Sequence, residues 1–168
     1  MHIIELIGKR EQKVGWSVID GVKILRKNLY FEISCRPWIS NLENEIKKIK
    51  PDVILVHNTT SFSSFRVAYL CKKESIPCMF DNHMVYSAVS NSLSAKLFYF
   101  FIKNFISKYI SQVAFKIIGV TDETCKYLEY NEGYKKNKIF HLPLGIDEKA
   151  FYLTKKRRKR KKRETFKI

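Results

Sequence analysis

Lys50-Pro51-Asp52-Val53-Ile54-Leu55-Val56-His57 is the stretch from which the fold is read. Val53 to Val56 is apolar throughout, the pattern of a parallel strand covered by helices on both faces. Pro51 disfavours helix at the residue before it. Ile39 to Ile49, with Leu42, Ile46 and Ile49 on one face, is therefore predicted as a helix that stops at Lys50. After the strand comes a polar loop, His57-Asn58-Thr59-Thr60-Ser61, and then a predicted helix over Phe65 to Lys73. Pro77-Cys78-Met79-Phe80 repeats the buried-strand pattern and ends in Asp81-Asn82-His83.

The alternation continues outward. A long helix is predicted from Ser94 to about Ser111, then a strand over Phe115 to Val120. Thr121 or Asp122 caps a helix that ends near Asn131, with Gly133 at its exit. Lys138 to Leu142 is the last strand, followed by Pro143-Leu144-Gly145-Ile146-Asp147. Toward the amino terminus, Ile3 to Ile7 and Tyr30 to Ser34 read as strands. Val14 to Arg26, with apolar Val14, Val18, Ile19, Val22 and Leu25, reads as a helix. Strands alternating with helices predict an α/β fold, a Rossmann-like doubly wound parallel sheet forming a single domain over residues 1–151. In such sheets ligands bind at the carboxyl ends of the strands.

Composition bounds the alternatives. The chain has 168 residues, 45% of them hydrophobic, and a formal net charge of +16. That length suits one domain, and the apolar content excludes a wholly disordered chain. No apolar run reaches the roughly 18–20 residues of a membrane-spanning helix, and residues 1–7 do not look like a secretory signal. The charge is unevenly placed. Residues 151–168 carry +9, chiefly in Lys155-Lys156-Arg157-Arg158-Lys159-Arg160-Lys161-Lys162-Arg163, and residues 1–150 only +7. The tail, residues 152–168, reads as a basic linker, or else as a polybasic lipid contact, a nucleic-acid arm or a nuclear signal. Cys35, Cys71, Cys78 and Cys125 form no C-x-x-C pair and have no His at zinc spacing, so buried free thiols in a reducing cytosol are expected. Neither a metal nor a cofactor is expected.

The chemistry-bearing residues sit where the fold puts ligands. Asp81 and His83 are the catalytic candidates: a carboxylate can orient an imidazole as a base or as a donor to a sugar hydroxyl or phosphate oxygen. A loop histidine satisfied by backbone is the plainer alternative. His57, Asn58 and Asn82 are weaker substrate-binding candidates, since polar strand ends are common. Thr121, Asp122 and Glu123 read as a helix cap with acidic first turn, or as a helix N-terminus facing an anion. Gly8, Lys9, Arg10 and Gly15 occupy the loop after the first strand, where a phosphate-contacting turn would lie. No Walker loop and no G-x-G-x-x-G is present there.

Four of these segments together resemble one family. Lys50 to His57, Pro77 to His83, Phe115 to Thr124 and Lys138 to Phe151 look like successive strands of the family-4 GT-B glycosyltransferases, in the family's order and spacing. The resemblance implies that the chain is the first, acceptor-side domain of an enzyme whose second domain binds a nucleotide-sugar. It implies a retaining transfer to a hydroxyl acceptor, lipid-linked or polysaccharide, commonly without a bound metal. His83 would face the donor sugar and diphosphate. The Gly8 to Gly15 loop would approach phosphate or acceptor, and Gly145-Ile146-Asp147 would lead into the interdomain linker. The paired glycines of the family's first loop are not matched cleanly. The donor-binding domain is expected to be missing, with Phe166-Lys167-Ile168 resembling the start of its first strand. The chain is then expected to be inactive alone, or to act with a separate donor-binding domain.

Segment 94–112 is the most aromatic. Phe98, Phe101, Ile102, Phe105, Tyr109 and Ile110 form one stripe at helical spacing, with Lys103, Asn104, Ser107, Lys108 and Ser111 opposite. An ordinary core helix is one reading. A basic–aromatic helix resting on an anionic membrane surface is the other, which would make the protein cytoplasmic and peripheral on the inner face of the membrane. The rival from another class is a basic binding module for nucleic acid or anionic membrane without catalysis. For nucleic acid, the charge would give salt-sensitive, sequence-blind binding. The body's basic residues are not otherwise interleaved with aromatics, so nucleic acid is the weaker partner.

Overall fold

The structure, a computed structural model, describes residues 2–7, 14–28, 31–33, 36–84 and 92–145. Gly8, Lys9, Arg10, Cys35, Ile146, Asp147 and the basic tail lie outside them. The apolar Val53–Val56 run forms β6 (Ile54–His57), which pairs in parallel with β7 (Cys78–Asn82). β7 in turn pairs with β8 (Lys116–Gly119), and β8 with β9 (Ile139–His141), giving a four-stranded, all-parallel sheet in the order β6-β7-β8-β9. The expected α/β architecture is present.

Helices return the chain between these strands. α1 (Leu42–Ile49) stops where Pro51 requires, with Lys50 in the left-handed region at φ 50° and its N–H closing onto Ile46 O. α2 (Phe62–Glu74) is capped by Ser61, whose side chain accepts from Ser64 N at 3.0 Å. α3 (Leu93–Phe101) runs through a π-helical turn, Ile102–Ile106, into α4 (Ser107–Val113). α5 (Asp122–Tyr130) starts at Thr121, which accepts from Thr124 N at 3.0 Å.

Strand alternation divides the sheet's side chains. Ile54, Val56, Cys78, Phe80, Ile117 and Ile139 face Val67, Ala68, Leu70, Ile102, Ile106, Ile110 and Leu128, and this layer is the core. Residues of the other parity, including Leu55, His57, Met79, Asp81, Ile118 and Phe140, point away from it. Leu55 is 57% exposed, so this face is only partly covered by described residues. Arg66 binds the helices together: Nε donates to Glu43 Oε1 at 2.6 Å, Nη2 to Glu43 Oε2, and Nη1 to Ile39 O at 2.6 Å. Its guanidinium lies 4.5 Å from the Trp38 ring centroid.

Two local expectations need correction. Val14 to Arg26 is not a helix. β2 (Gly15–Ile19) and β3 (Val22–Asn28) form an antiparallel hairpin, with Ile19 opposite Val22. Asp20-Gly21 makes the two-residue turn, at φ 50° and 78°. Two positive φ values suit the primed turns that match strand twist, and Asp-Gly is a favoured pair for them. β-branched Val18, Ile19, Val22 and Ile24 then favour strand over helix. β3 also pairs in parallel with β1 (His2–Ile7), so the first strand belongs to a separate three-stranded sheet. β4 (Phe31–Ile33) and β5 (Arg36–Trp38) pair with each other.

The aromatic stripe is the second correction. Ile102, Ile106 and Ile110 are buried with Phe98 against them, whereas Phe101 and Phe105 are exposed. Ser107, expected on the outer face, is buried. The π turn is wider than an α turn and shifts the register by a fraction of a turn. It keeps the i, i+4 series 98-102-106-110 on the core and sends Leu93, Leu97, Phe100, Phe101 and Phe105 outward.

Candidate functional site

The carboxyl ends of the parallel strands gather the polar residues. β6 ends at His57 and the chain turns at once. Asn58 adopts φ 89°, and its Oδ1 accepts from Thr60 N at 2.7 Å and Thr60 Oγ1 at 2.9 Å, an Asx turn. Asn58 N donates to Asp81 O at 2.9 Å, so the ends of β6 and β7 are laced together. His57 and Asp81 are register partners across that ladder. Asp81 and His83 are two residues apart, which sends their side chains to the same side of the strand.

The result is a cluster of two imidazoles and a carboxylate. His57 Nδ1 lies 2.7 Å from Asp81 Oδ1, and His83 Nε2 lies 3.8 Å from Asp81 Oδ2. The two rings are tilted against each other with centroids 4.5 Å apart. The Asp81 side chain is only 17% exposed and the His57 side chain 71%, so a sheltered acid supports a ring that solvent can reach. The sequence points to an Asp81–His83 pair. At 3.8 Å that contact is too long for a hydrogen bond, and the close partner of Asp81 is His57.

Asn82, between Asp81 and His83, points the other way into the helix layer. Its Nδ2 donates to Thr59 Oγ1 at 2.6 Å and to Glu132 Oε1 at 2.7 Å, while Thr59 Oγ1 donates to Glu132 Oε2 at 2.6 Å. Asn82 Oδ1 accepts from Met84 N at 2.6 Å, just past His83. All three side chains are buried. Asn82 and Asn58, both proposed from sequence as ligand contacts, thus spend their side chains holding the strand ends in place. Thr59 and Glu132 were not foreseen. Nothing in Asn131-Glu132-Gly133 distinguishes a buried acid from an exposed helix exit.

A second polar group lies at the ends of β8 and β9. Thr121 caps α5, and Asp122 Oδ1 is 3.2 Å from His141 Nδ1. Glu123 is exposed in the first turn. The crossing from β8 to α5 is tight: a Cβ on Gly119 would meet Cys125 Sγ at 2.5 Å and Cys125 N at 3.0 Å, so glycine is needed there. His141 was overlooked in the sequence, though its place as the last residue of a strand was a usable signal. Gly15 opens β2, and nothing lies within 4 Å of a Cβ built on it. Of the thiols, Cys71 and Cys78 are free and buried and Cys125 is free and half-buried. A hydrogen bond with Cys78, with burial added, pushes the Cys71 thiol far up.

Among the described residues, His57, Asp81 and His83 also form the one group of three metal-ligand side chains with all donor atoms within 4.8 Å of one another. No described helix is long and apolar enough to cross a membrane. A family model described as Glycosyltransferase Family 4 matches residues 8–150, most of the chain. No curated protein matches it.

Proposed function

The chain belongs to glycosyltransferase family 4, and from that premise we propose that it is the acceptor-side domain of a retaining transferase. The reaction would move a sugar from a nucleotide-sugar to a hydroxyl acceptor. Membership itself carries a sugar donor and an acceptor as substrates. The observation that supports the finer reading is the His57–Asp81–His83 cluster at the ends of adjacent parallel strands, where α/β folds receive ligands.

In this reading Asp81 holds the His57 ring through Nδ1, leaving Nε2 for a substrate oxygen. His83, not held by Asp81, turns its ring toward a hydroxyl or diphosphate oxygen of the donor. Thr121, Asp122 and Glu123 contribute the neighbouring helix N-terminus. Among the described residues nothing forms a second nucleotide-holding unit. Positioning the donor supplies much of such a rate enhancement, so in this reading a donor-binding domain completes the site. With a panel of nucleotide-sugars, the purified chain should release no nucleoside diphosphate. Transfer should appear only when a family-4 donor-binding domain is supplied in trans. Robust turnover by the chain alone would falsify this dependence.

A second reading concerns the acceptor's location. Leu93, Leu97, Phe100, Phe101 and Phe105 form an exposed apolar stripe, and Lys96, Lys103 and Lys108 are exposed on the same helical segment. Phe101 and Phe105 stack at 5.0 Å beside a groove of about 490 Å³ that Phe62, Phe65 and Tyr109 also line. An apolar stripe beside lysines suits a peripheral contact with anionic lipid, which supports a lipid-linked acceptor. The wild type should co-sediment with anionic liposomes, and Phe100→Ser should bind them more weakly. Equal binding by the two proteins would end this reading.

A further inference from the structure

We infer that His57, Asp81 and His83 form a binding site for a divalent transition metal of the zinc type. The inference does not rest on glycosyl transfer; it follows from where strand geometry places three donor groups. Register sets His57 opposite Asp81, and the two-residue period sets His83 on the same side as Asp81. The donor separations are 2.7 Å for His57 Nδ1 to Asp81 Oδ1 and 3.8 Å for His83 Nε2 to Asp81 Oδ2, the other oxygen of the carboxylate. These bracket the roughly 3.3 Å between neighbouring ligands of a tetrahedral zinc with bonds of about 2.0–2.1 Å. Asp81 Oδ1 is shielded from solvent and faces His57 Nδ1, a contact that a bound metal would replace.

The scaffold beneath the ligands is rigid, as a metal site requires. Asn58 N bonds to Asp81 O. Asn82, the residue between two of the ligands, is locked by Thr59, Glu132 and Met84 N. Two imidazoles with one carboxylate suit zinc, cobalt or nickel. Magnesium and calcium prefer an all-oxygen shell and find one carboxylate here. With three protein ligands a fourth position stays open to water or to a substrate oxygen.

Calorimetric titration of the full chain with zinc chloride tests the site directly. One saturable site per chain is expected, weakened at least tenfold in each of His57→Ala, Asp81→Asn and His83→Ala, and unchanged in His141→Ala. Magnesium chloride should give no saturable heat. Folding of each variant is checked by circular dichroism. Cobalt bound in place of zinc should show visible d–d bands without a strong thiolate charge-transfer band. Absence of saturable zinc binding, variants that bind like the wild type, a thiolate band, or magnesium binding of equal strength would each overturn the proposal. No sugar enters the experiment, so its failure would leave the family-4 transfer reading standing.

Discussion

At the scale of single residues, the buried trio of Thr59, Asn82 and Glu132 is the support on which the strand-end cluster stands. Removing the Glu132 carboxylate leaves two buried polar groups short of a partner, each costing about 1–3 kcal/mol. Glu132→Ala should therefore lower stability by at least about 2 kcal/mol in urea denaturation, and a loss below about 0.5 kcal/mol, typical of surface substitutions, would contradict that role. Gly119→Ala should also destabilise, by about 1–3 kcal/mol, because its Cβ would strike Cys125. Asp81 and His83 were legible in the sequence because they follow a strand whose apolar run fixes where it ends. The weight of His57 was not, since its pairing with Asp81 depends on register between residues 24 positions apart. Glu132 carried no local signal at all; its burial is set entirely by tertiary packing.

At the scale of elements, helices and strands of the parallel sheet followed from apolar spacing, caps and Pro51. The failures came where one spacing fits two structures. Val14, Val18, Val22 and Leu25 satisfy a helical period, but Asp20-Gly21 at φ 50° and 78° turns the segment into a hairpin. The π turn at Ile102–Ile106 has no sequence signature, and it moved Phe101 and Phe105 off the core stripe. Two substitutions separate these faces. Ile106→Ala should cost about 2–5 kcal/mol, and Phe105→Ser should stay within about 0.5 kcal/mol; equal losses would restore the single-stripe helix. The link between α1 and α2 is sensitive to pH. Hydrogen bonding from Arg66 holds the Glu43 carboxyl below its ordinary value against the opposing effect of burial. A lowered folded-state pKa contributes stability that is present above the unfolded value, about 4.3, and is lost as pH falls through the folded one. The stability gap between wild type and Glu43→Gln should therefore be full near neutrality and close under acid. A gap that does not shrink as pH falls below about 4.3 would rule this out.

At the scale of the whole molecule, the net charge of +16 divides into +9 over residues 151–168 and +7 over residues 1–150. Residues 1–150 are therefore only moderately basic. The organisation of the described body is that of an α/β unit. Helices pack one face of a four-stranded parallel sheet. The carboxyl ends carry His57, Asp81, His83, Asp122 and His141. The central claim is that the first three of these meet the substrate. Sugar transfer by the chain, complemented in trans by a family-4 donor-binding domain, measures this directly when wild type, His83→Ala and His141→Ala are compared. Loss of at least tenfold in kcat/KM with His83→Ala, and wild-type rates with His141→Ala, is the predicted result; wild-type rates with His83→Ala would contradict it.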